Sequence, residues 1–279
     1  MKLDHIFSSL STAYRKGHSC ETTLLHLTDD WTLAIDRKEL VCVVSTDMSK
    51  AFDSLSHSPT LTKLEAYGFE SSGLDLMRSF FNNRQNRVRL GNKESNWYQM
   101  SRGCPRGSSF GPLLWNLFQN DLSCSITSAN LSIYVDDHQL YTSGTSFTAV
   151  REALEQEGQL AASWYRDNFL LANPDKFQAM ILYPRRKDGR VITNTDYIKL
   201  LGVHTDCSMN FSGHISELCK KVNKKVGILM RLRNLIPCSA KLTIYKSSIL
   251  PCLTYCQLVR LTSVRPPTAG KQNAFKNSP

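Results

Sequence analysis

Two acidic segments of the 279-residue chain carry residues that could do chemistry together. Ser45-Thr46-Asp47-Met48-Ser49-Lys50-Ala51-Phe52-Asp53 and Tyr134-Val135-Asp136-Asp137 each put carboxylates where an apolar, β-rich run ends. One lone aspartate, Asp47, and one adjacent pair, Asp136 and Asp137, can hold two divalent cations about 4 Å apart, the arrangement that serves phosphoryl transfer. Magnesium suits such a set because it is a hard cation that prefers oxygen ligands.

The elements that must position these carboxylates follow from hydrophobic periodicity. Leu24, Leu27, Trp31 and Ala34 recur at helical spacing behind Ser19, a capping residue, which predicts an amphipathic helix of about four turns. The β-branched run Leu40 to Val44 predicts a buried strand that delivers Asp47 at its end. Pro59 to Tyr67 reads as a helix stopped by Gly68, and Leu74, Met77 and Phe81 mark a second. Val88, Leu90 and Trp97 suggest a hairpin around Gly91-Asn92. Gly103 to Gly111 is a glycine-rich loop, after which Pro112 opens a helix with Leu113, Leu114, Leu117 and Phe118 on its apolar face. Leu131 to Tyr134 and His138 to Tyr141 can pair as a hairpin whose tight connection carries Asp136 and Asp137. Val150, Leu154, Ala161 and Trp164 mark a further helix. Strands follow at Phe177 to Tyr183 and Tyr197 to Val203, separated by a basic turn from Pro184 to Arg190.

The last third changes character. Ile215, Leu218, Val222, Val226 and Leu229 form a helical stripe, and a second helix spans about Ser239 to Leu250. Residues 213 to 246 carry eight Lys or Arg (Lys220, Lys221, Lys224, Lys225, Arg231, Arg233, Lys241 and Lys246) against one acid, Glu217. From about Thr262 the composition predicts disorder. Over the whole chain, 34 basic residues against 24 acidic ones give net +10, which favours polyanionic partners through counterion release. The 41% hydrophobic content is enough for a real core. The nine cysteines are scattered with no Cys-x-x-Cys pair, and read as reduced, mostly buried thiols of an intracellular protein. No apolar run of membrane length and no signal-peptide pattern occur, and nothing points to a protein partner. The strongest basic cluster of nuclear-localisation type, Arg185-Arg186-Lys187, sits in a predicted turn, so nucleus and cytoplasm stay equally open.

Seven segments in order make the chain resemble the reverse transcriptase domain of a non-LTR, LINE-type retrotransposon. They are Ala13-Tyr14-Arg15-Lys16-Gly17-His18-Ser19; Asp47-Met48-Ser49-Lys50-Ala51-Phe52-Asp53; Arg102-Gly103-Cys104-Pro105-Arg106-Gly107-Ser108; Gly111-Pro112-Leu113-Leu114-Trp115-Asn116; Tyr134-Val135-Asp136-Asp137; Asn173-Pro174-Asp175-Lys176; and Leu201-Gly202-Val203. The resemblance implies an α+β, right-hand polymerase fold: a palm of antiparallel sheet packed on helices, followed by a helical thumb. It implies a lead-in segment and remnant of the fingers at 1–38, a palm at 39–205 and a thumb-like region at 206–260, while composition leaves 261–279 as a disordered tail.

The function so implied is an RNA-directed DNA polymerase, a nucleotidyltransferase that extends a primer 3′-end by two-metal chemistry with Mg²⁺, or alternatively Mn²⁺. RNA template, DNA primer and deoxynucleoside triphosphates would be its partners. Asp47, Asp136 and Asp137 match the catalytic metal positions, and Lys176 matches a lysine proposed to protonate the leaving pyrophosphate. Phe52, five residues after Asp47, matches the aromatic gate that excludes a ribose 2′-hydroxyl. Without the motif it would read as a core phenylalanine. Arg106, Gly107 and Tyr134 join Phe52 as substrate-binding positions. Gly202 would sit in the hairpin that holds the primer end, and Lys220, Lys221, Lys224 and Lys225 would grip the template-primer. Arg84, Arg87 and Arg89 form a second basic patch facing template.

Three departures qualify the match. Arg106 replaces a glutamine of the family's glycine loop, putting a long cation beside Asp47 and the phosphates. Val135 replaces a smaller residue before the acidic pair and is expected to be tolerated. The family's upstream fingers and endonuclease segments, and its downstream Cys/His region, lie outside this sequence, which therefore reads as a fragment or decayed copy of an element. The alternative to an active enzyme is thus a catalytically inactive remnant that keeps the fold and binds nucleic acid.

Overall fold

A computed structural model of the protein describes residues 7–48, 50–105, 107–171, 174–184 and 197–262. In chain order its elements begin with α1 (Cys20–Asp36), β1 (Leu40–Asp47), α2 (Ala51–Ser54), α3 (His57–Ala66) and α4 (Ser71–Phe81). A ribbon of four two-residue strands follows: β2 (Gln85–Asn86), β3 (Arg89–Leu90), β4 (Lys93–Glu94) and β5 (Tyr98–Gln99). Then come α5 (Phe110–Gln119), α6 (Leu122–Ser125), β6 (Asn130–Tyr134), β7 (Asp137–Gly144), α7 (Phe147–Asp167) and a 3-10 turn, Pro174–Lys176. β8 (Gln178–Leu182), β9 (Tyr197–Leu200) and β10 (Val203–Asp206) lead to the helices α8 (Ser212–Arg231), α9 (Cys238–Ile244), α10 (Leu250–Thr254) and α11 (Gln257–Thr262).

Four strands form one antiparallel sheet in the order β6-β7-β1-β8. Strand β1 is central and reads as a continuous apolar run because both of its faces are covered. Leu40 and Cys42 enter a core with α3, α4, α5 and α7, where Leu64, Leu74, Trp115, Phe118 and Trp164 pack. Val41 and Val43, on the opposite face, enter a second core with Leu24, Leu27 and Trp31 of α1, Met180, and Ile198 and Val203 of the β9-β10 hairpin. The alternation of side chains along a strand makes this division automatic. Helix α1 is fixed at its start by a reciprocal capping box between Ser19 and Thr22 and in its middle by Trp31, whose ring meets Tyr141 edge-on at 6.0 Å.

Several sequence expectations need correction. Pro59 and Pro112 are each the third residue of their helix, not the first; an orphan N–H position of the first turn tolerates proline there as well. The expected single strand from Tyr197 to Val203 breaks at Leu201-Gly202, where φ of +46° and +83° turns the chain into the β9-β10 hairpin. The helix expected from Ser239 to Leu250 is α9, a π-helical segment over Tyr245–Ile249, and α10. Pro251 lies just beyond that segment, and its missing N–H and bulky ring displace the regular ladder. The stripe on α8 is present, yet none of its side chains is fully buried. The cysteines are free thiols, but Cys42, Cys104 and Cys256 alone are buried, while Cys124, Cys207, Cys219 and Cys238 are exposed. No described helix is long and apolar enough to cross a membrane. The expected basic turn and Arg185-Arg186-Lys187, like the tail beyond Thr262, lie outside the described residues.

Candidate active site

Asp47 is the last residue of β1 and Asp137 the first of β7, and the two are direct cross-strand partners. The hairpin connection is therefore Val135-Asp136 alone, one residue shorter than the sequence pattern implied, since Tyr134 already pairs with Asp137. Val135 sits at φ +59°, a costly conformation for a β-branched residue. Two bonds hold the turn there: Trp115 Nε1 donates to the Val135 carbonyl at 2.7 Å, and Met48 N–H donates to the Asp136 carbonyl at 3.2 Å. In the sequence Trp115 stands only as a member of the Gly111-Pro112-Leu113-Leu114-Trp115-Asn116 segment; its indole N–H is what the turn uses.

Three carboxylates at one sheet end repel one another. Burial first, and then Asp136 and Asp47, push the Asp137 carboxyl up to about 6. Asp136 is likewise raised, by burial foremost, with Asp47 adding to it. The nearest compensating cation is Lys176, whose Nζ donates to both oxygens of Asp47, at 3.0 and 2.9 Å. The hydrogen bond to Asp47 in turn raises the Lys176 pKa. Among the described residues no three acidic, histidine or cysteine side chains converge as a ready-made metal cluster. The donor set nevertheless suits a hard divalent cation: it is all carboxylate oxygen, and the repulsion from Asp136 and Asp47 that adds to burial in raising the Asp137 carboxyl is what a cation relieves.

Phe52 lies on the short helix α2, half-buried against Trp115 with ring centroids 5.9 Å apart. The glycine loop docks on this same turn: Gly103 N–H donates to the Leu55 carbonyl at 2.7 Å and Cys104 N–H to the Phe52 carbonyl at 3.0 Å. Gly103 has φ +81°, and a β-carbon there would meet the Asp53 backbone at 2.9 Å, so the approach requires glycine. Gly107, at φ +80°, faces open space. Arg106 lies outside the described residues.

Arg84 donates to the Gly103 carbonyl at 2.8 Å, an oxygen that His57 Nε2 also contacts at 2.8 Å, so this arginine fastens the loop. His57 was not singled out by the sequence; no motif marks it. Arg87 pairs with Glu94 and stacks over Trp97 at 4.6 Å, and Arg89 Nε lies 3.7 Å from the same Glu94. Trp97 and Tyr98 stand exposed beside them. Tyr134, half-buried, turns its ring into the second core; burial, then Cys20, push its hydroxyl up to about 12. Gly202 is at φ +83°, and a β-carbon there would meet the ring of Tyr255 at 3.6 Å; the Tyr255 hydroxyl donates to the Leu201 carbonyl at 2.5 Å. On α8, Lys220, Lys221 and Lys224 are exposed. Lys225 turns inward and donates to the Ser248 carbonyl at 2.6 Å and to Cys252 Sγ at 3.2 Å.

A paired-aspartate hairpin beside a lone aspartate strand, on an antiparallel sheet backed by helices and followed by a helical region, defines the right-hand polymerase fold. Solved structures agree on the fold: apo telomerase from Candida tropicalis superposes with a TM-score of 0.53 at 9% identity, over 71% of this chain and 39% of that one. Telomerase from Candida albicans, in complex with a fragment of telomeric RNA, gives 0.51 at 13% identity over 80% and 40%. The family model for reverse transcriptase (RNA-dependent DNA polymerase) matches residues 1–205, and the chain belongs to that family. Relatives include a probable RNA-directed DNA polymerase from transposon BS of Drosophila melanogaster, 26% identical over 90% of this chain and 29% of that protein. The RNA-directed DNA polymerase from mobile element jockey of the same fly is 26% identical over 87% and 28%. The chain thus spans under a third of the length of these relatives.

Proposed function

We propose that this chain is the nucleotidyl-transfer domain of a retrotransposon RNA-directed DNA polymerase, extending a DNA primer along an RNA template with deoxynucleoside triphosphates. The observation that carries the reading is the cross-strand placement of Asp47 opposite Asp137, with Asp136 in the adjoining turn, in a chain of this family. Asp47, Asp136 and Asp137 would hold two Mg²⁺ ions, or Mn²⁺. Bound there, such cations polarise the primer hydroxyl and neutralise the triphosphate.

The chain's own groups supply the rest. Lys176, protonated beside Asp47, stands ready to pass its proton to the departing pyrophosphate. The Phe52 ring closes the space a 2′-hydroxyl would need, and the glycine loop that docks on the Phe52 turn through Gly103 and Cys104 supplies Gly107 as a further substrate-binding position. Tyr134 backs the hairpin, from the second core. The Leu201-Gly202 turn supports the primer end. Residues 39–205 serve as palm and 206–260 as thumb, where Lys220, Lys221 and Lys224 face phosphates and Lys225 braces the helices. Arg87 and Arg89, with Trp97, offer template a cationic and aromatic edge. Free thiols throughout support an intracellular setting.

Primer extension on an RNA template with Mg²⁺ tests the reading, comparing the parent chain with Asp136→Asn. Extension by the parent and loss in the variant are expected. A folded parent chain that extends nothing would leave a nucleic-acid-binding remnant and remove the enzyme.

A further inference from the structure

Thr46 and His138 are cross-strand partners one residue inside the Asp47–Asp137 pair. Because side chains alternate across a sheet, they point away from the carboxylates, into the helix layer. There His138, wholly buried, is bonded through both ring nitrogens: Nδ1 to the Tyr165 hydroxyl at 2.9 Å and Nε2 to Gln119 Oε1 at 3.1 Å. Thr46 Oγ1 meets the same Tyr165 hydroxyl at 3.2 Å. The chain of bonds continues from Gln119 Nε2 to Asn116 Oδ1 at 3.4 Å and from Asn116 Nδ2 to the Ala13 carbonyl at 2.7 Å.

The last acceptor sets the direction of every bond. A carbonyl only accepts, so Asn116 gives its amide N–H to Ala13 and offers its oxygen to Gln119. Gln119 then gives its amide N–H to Asn116 and offers its oxygen to His138. Nε2 of His138 must therefore carry the proton, leaving Nδ1 to accept from the Tyr165 hydroxyl, whose oxygen accepts from Thr46. Cutting any link strands a buried donor or acceptor, and networks of this kind specify one arrangement for that reason.

We propose that Thr46, Tyr165 and His138 are positioning residues: the relay pins β1 and β7 to α5 and α7 just behind Asp47 and Asp137, and so fixes where the two carboxylates stand. The proposal rests on the reading of those aspartates as metal ligands, but none of Tyr165, His138 and Gln119 belongs to the motifs that suggested it. Outer partners of metal ligands commonly tune affinity about 10- to 100-fold.

Two measurements on the full chain separate this proposal from the function it serves. Hydrogen exchange is followed in the metal-free protein at amides 46–48 and 135–138, and Mn²⁺ binding is titrated by electron paramagnetic resonance. Tyr165→Phe and Thr46→Val should each speed exchange at those amides about 10-fold and weaken Mn²⁺ binding by a similar factor, whereas Thr46→Ser, which keeps the hydroxyl, should match the parent. Thr46→Val stands in if Tyr165→Phe does not fold. Uniformly faster exchange over the whole chain, or no change at these amides, overturns the relay as a positioning device. A parent chain that binds no Mn²⁺ while the local exchange effect holds overturns the metal reading and leaves the relay standing.

Discussion

Lys176 Nζ holds both carboxylate oxygens of Asp47, from the 3-10 turn that leads into β8, the strand beside β1. Both side chains are substantially solvent-exposed, so the pair adds little to folding, and under the proposed function its value is chemical. Lys176→Met should leave the unfolding midpoint unchanged and lower the rate of nucleotide addition about 100-fold, with the nucleotide KM nearly constant. Single-turnover primer extension beside a urea melt reads both quantities. Equal loss in KM and rate would make the lysine a binding residue instead.

Asp137 predicts a pH-dependent stability of the metal-free chain. Its carboxyl is raised from 3.8 to about 6 by burial and its acidic neighbours, so the ionised form is penalised in the folded state. That penalty is fully present above about pH 6 and disappears as pH falls toward the unfolded value near 4. Asp137→Asn should therefore stabilise the chain at pH 7.5 in the presence of a chelator, by roughly 1–3 kcal/mol, and make no difference at pH 4. Melts at the two pH values, with chelator, decide it.

Much of this site was legible because its parts are local. Asp47 ends the strand that the five-residue apolar run Leu40 to Val44 opens, and Asp136-Asp137 follow another apolar run, so strand periodicity places them with no knowledge of the sheet. What the sequence could not place depends on contacts distant along the chain. Lys225 looks equivalent to Lys220, Lys221 and Lys224, until the π-helical segment brings the Ser248 carbonyl under it. His138 looks like any strand residue, yet Gln119 and Tyr165 reach it from two different helices. The turn is one residue shorter than the local pattern implies because Val135 accepts a positive φ that its side chain disfavours, a cost met by the indole of Trp115 and therefore invisible in local propensity.

Gly103 and Gly107 share a left-handed backbone but differ in surroundings, which separates two effects usually confounded. A β-carbon at Gly103 would press on the Asp53 backbone at 2.9 Å, whereas at Gly107 it meets nothing within 4 Å. Gly107→Ala should cost only the backbone strain, about 1 kcal/mol. Gly103→Ala should cost roughly 2–4 kcal/mol, because backbone cannot rotate out of the way as a side chain can. Paired urea melts would show the difference, and equal costs would mean the loop shifts freely against α2.

Phe52 is half-buried against Trp115, so its replacement tests the sugar gate at a tolerable cost in packing. Phe52→Val should improve ribonucleotide use relative to deoxynucleotide use by about 10- to 100-fold in the ratio of kcat/KM. An unchanged ratio with a lowered melting temperature would return Phe52 to an ordinary core role.

The lysines of α8 divide by direction, and salt dependence can show it. Lys220, Lys221 and Lys224 are exposed, whereas Lys225 spends its ammonium on the Ser248 carbonyl and Cys252 Sγ. Each phosphate contact contributes about 0.7 to 0.9 to the slope of log affinity against log salt. Replacing Lys220, Lys221 and Lys224 together should reduce that slope by about 2 for a template-primer duplex while leaving stability unchanged. Lys225→Met should do the reverse: an unaltered slope, and a chain destabilised by about 1–2 kcal/mol because the Ser248 carbonyl loses its ammonium donor and keeps only the weak thiol of Cys252, at 3.3 Å. Binding isotherms at several salt concentrations, with melts of the same proteins, distinguish the two lysine classes. A slope that falls with Lys225→Met as steeply as with its neighbours would put all four lysines on the nucleic acid and make the inward contact a resting position only.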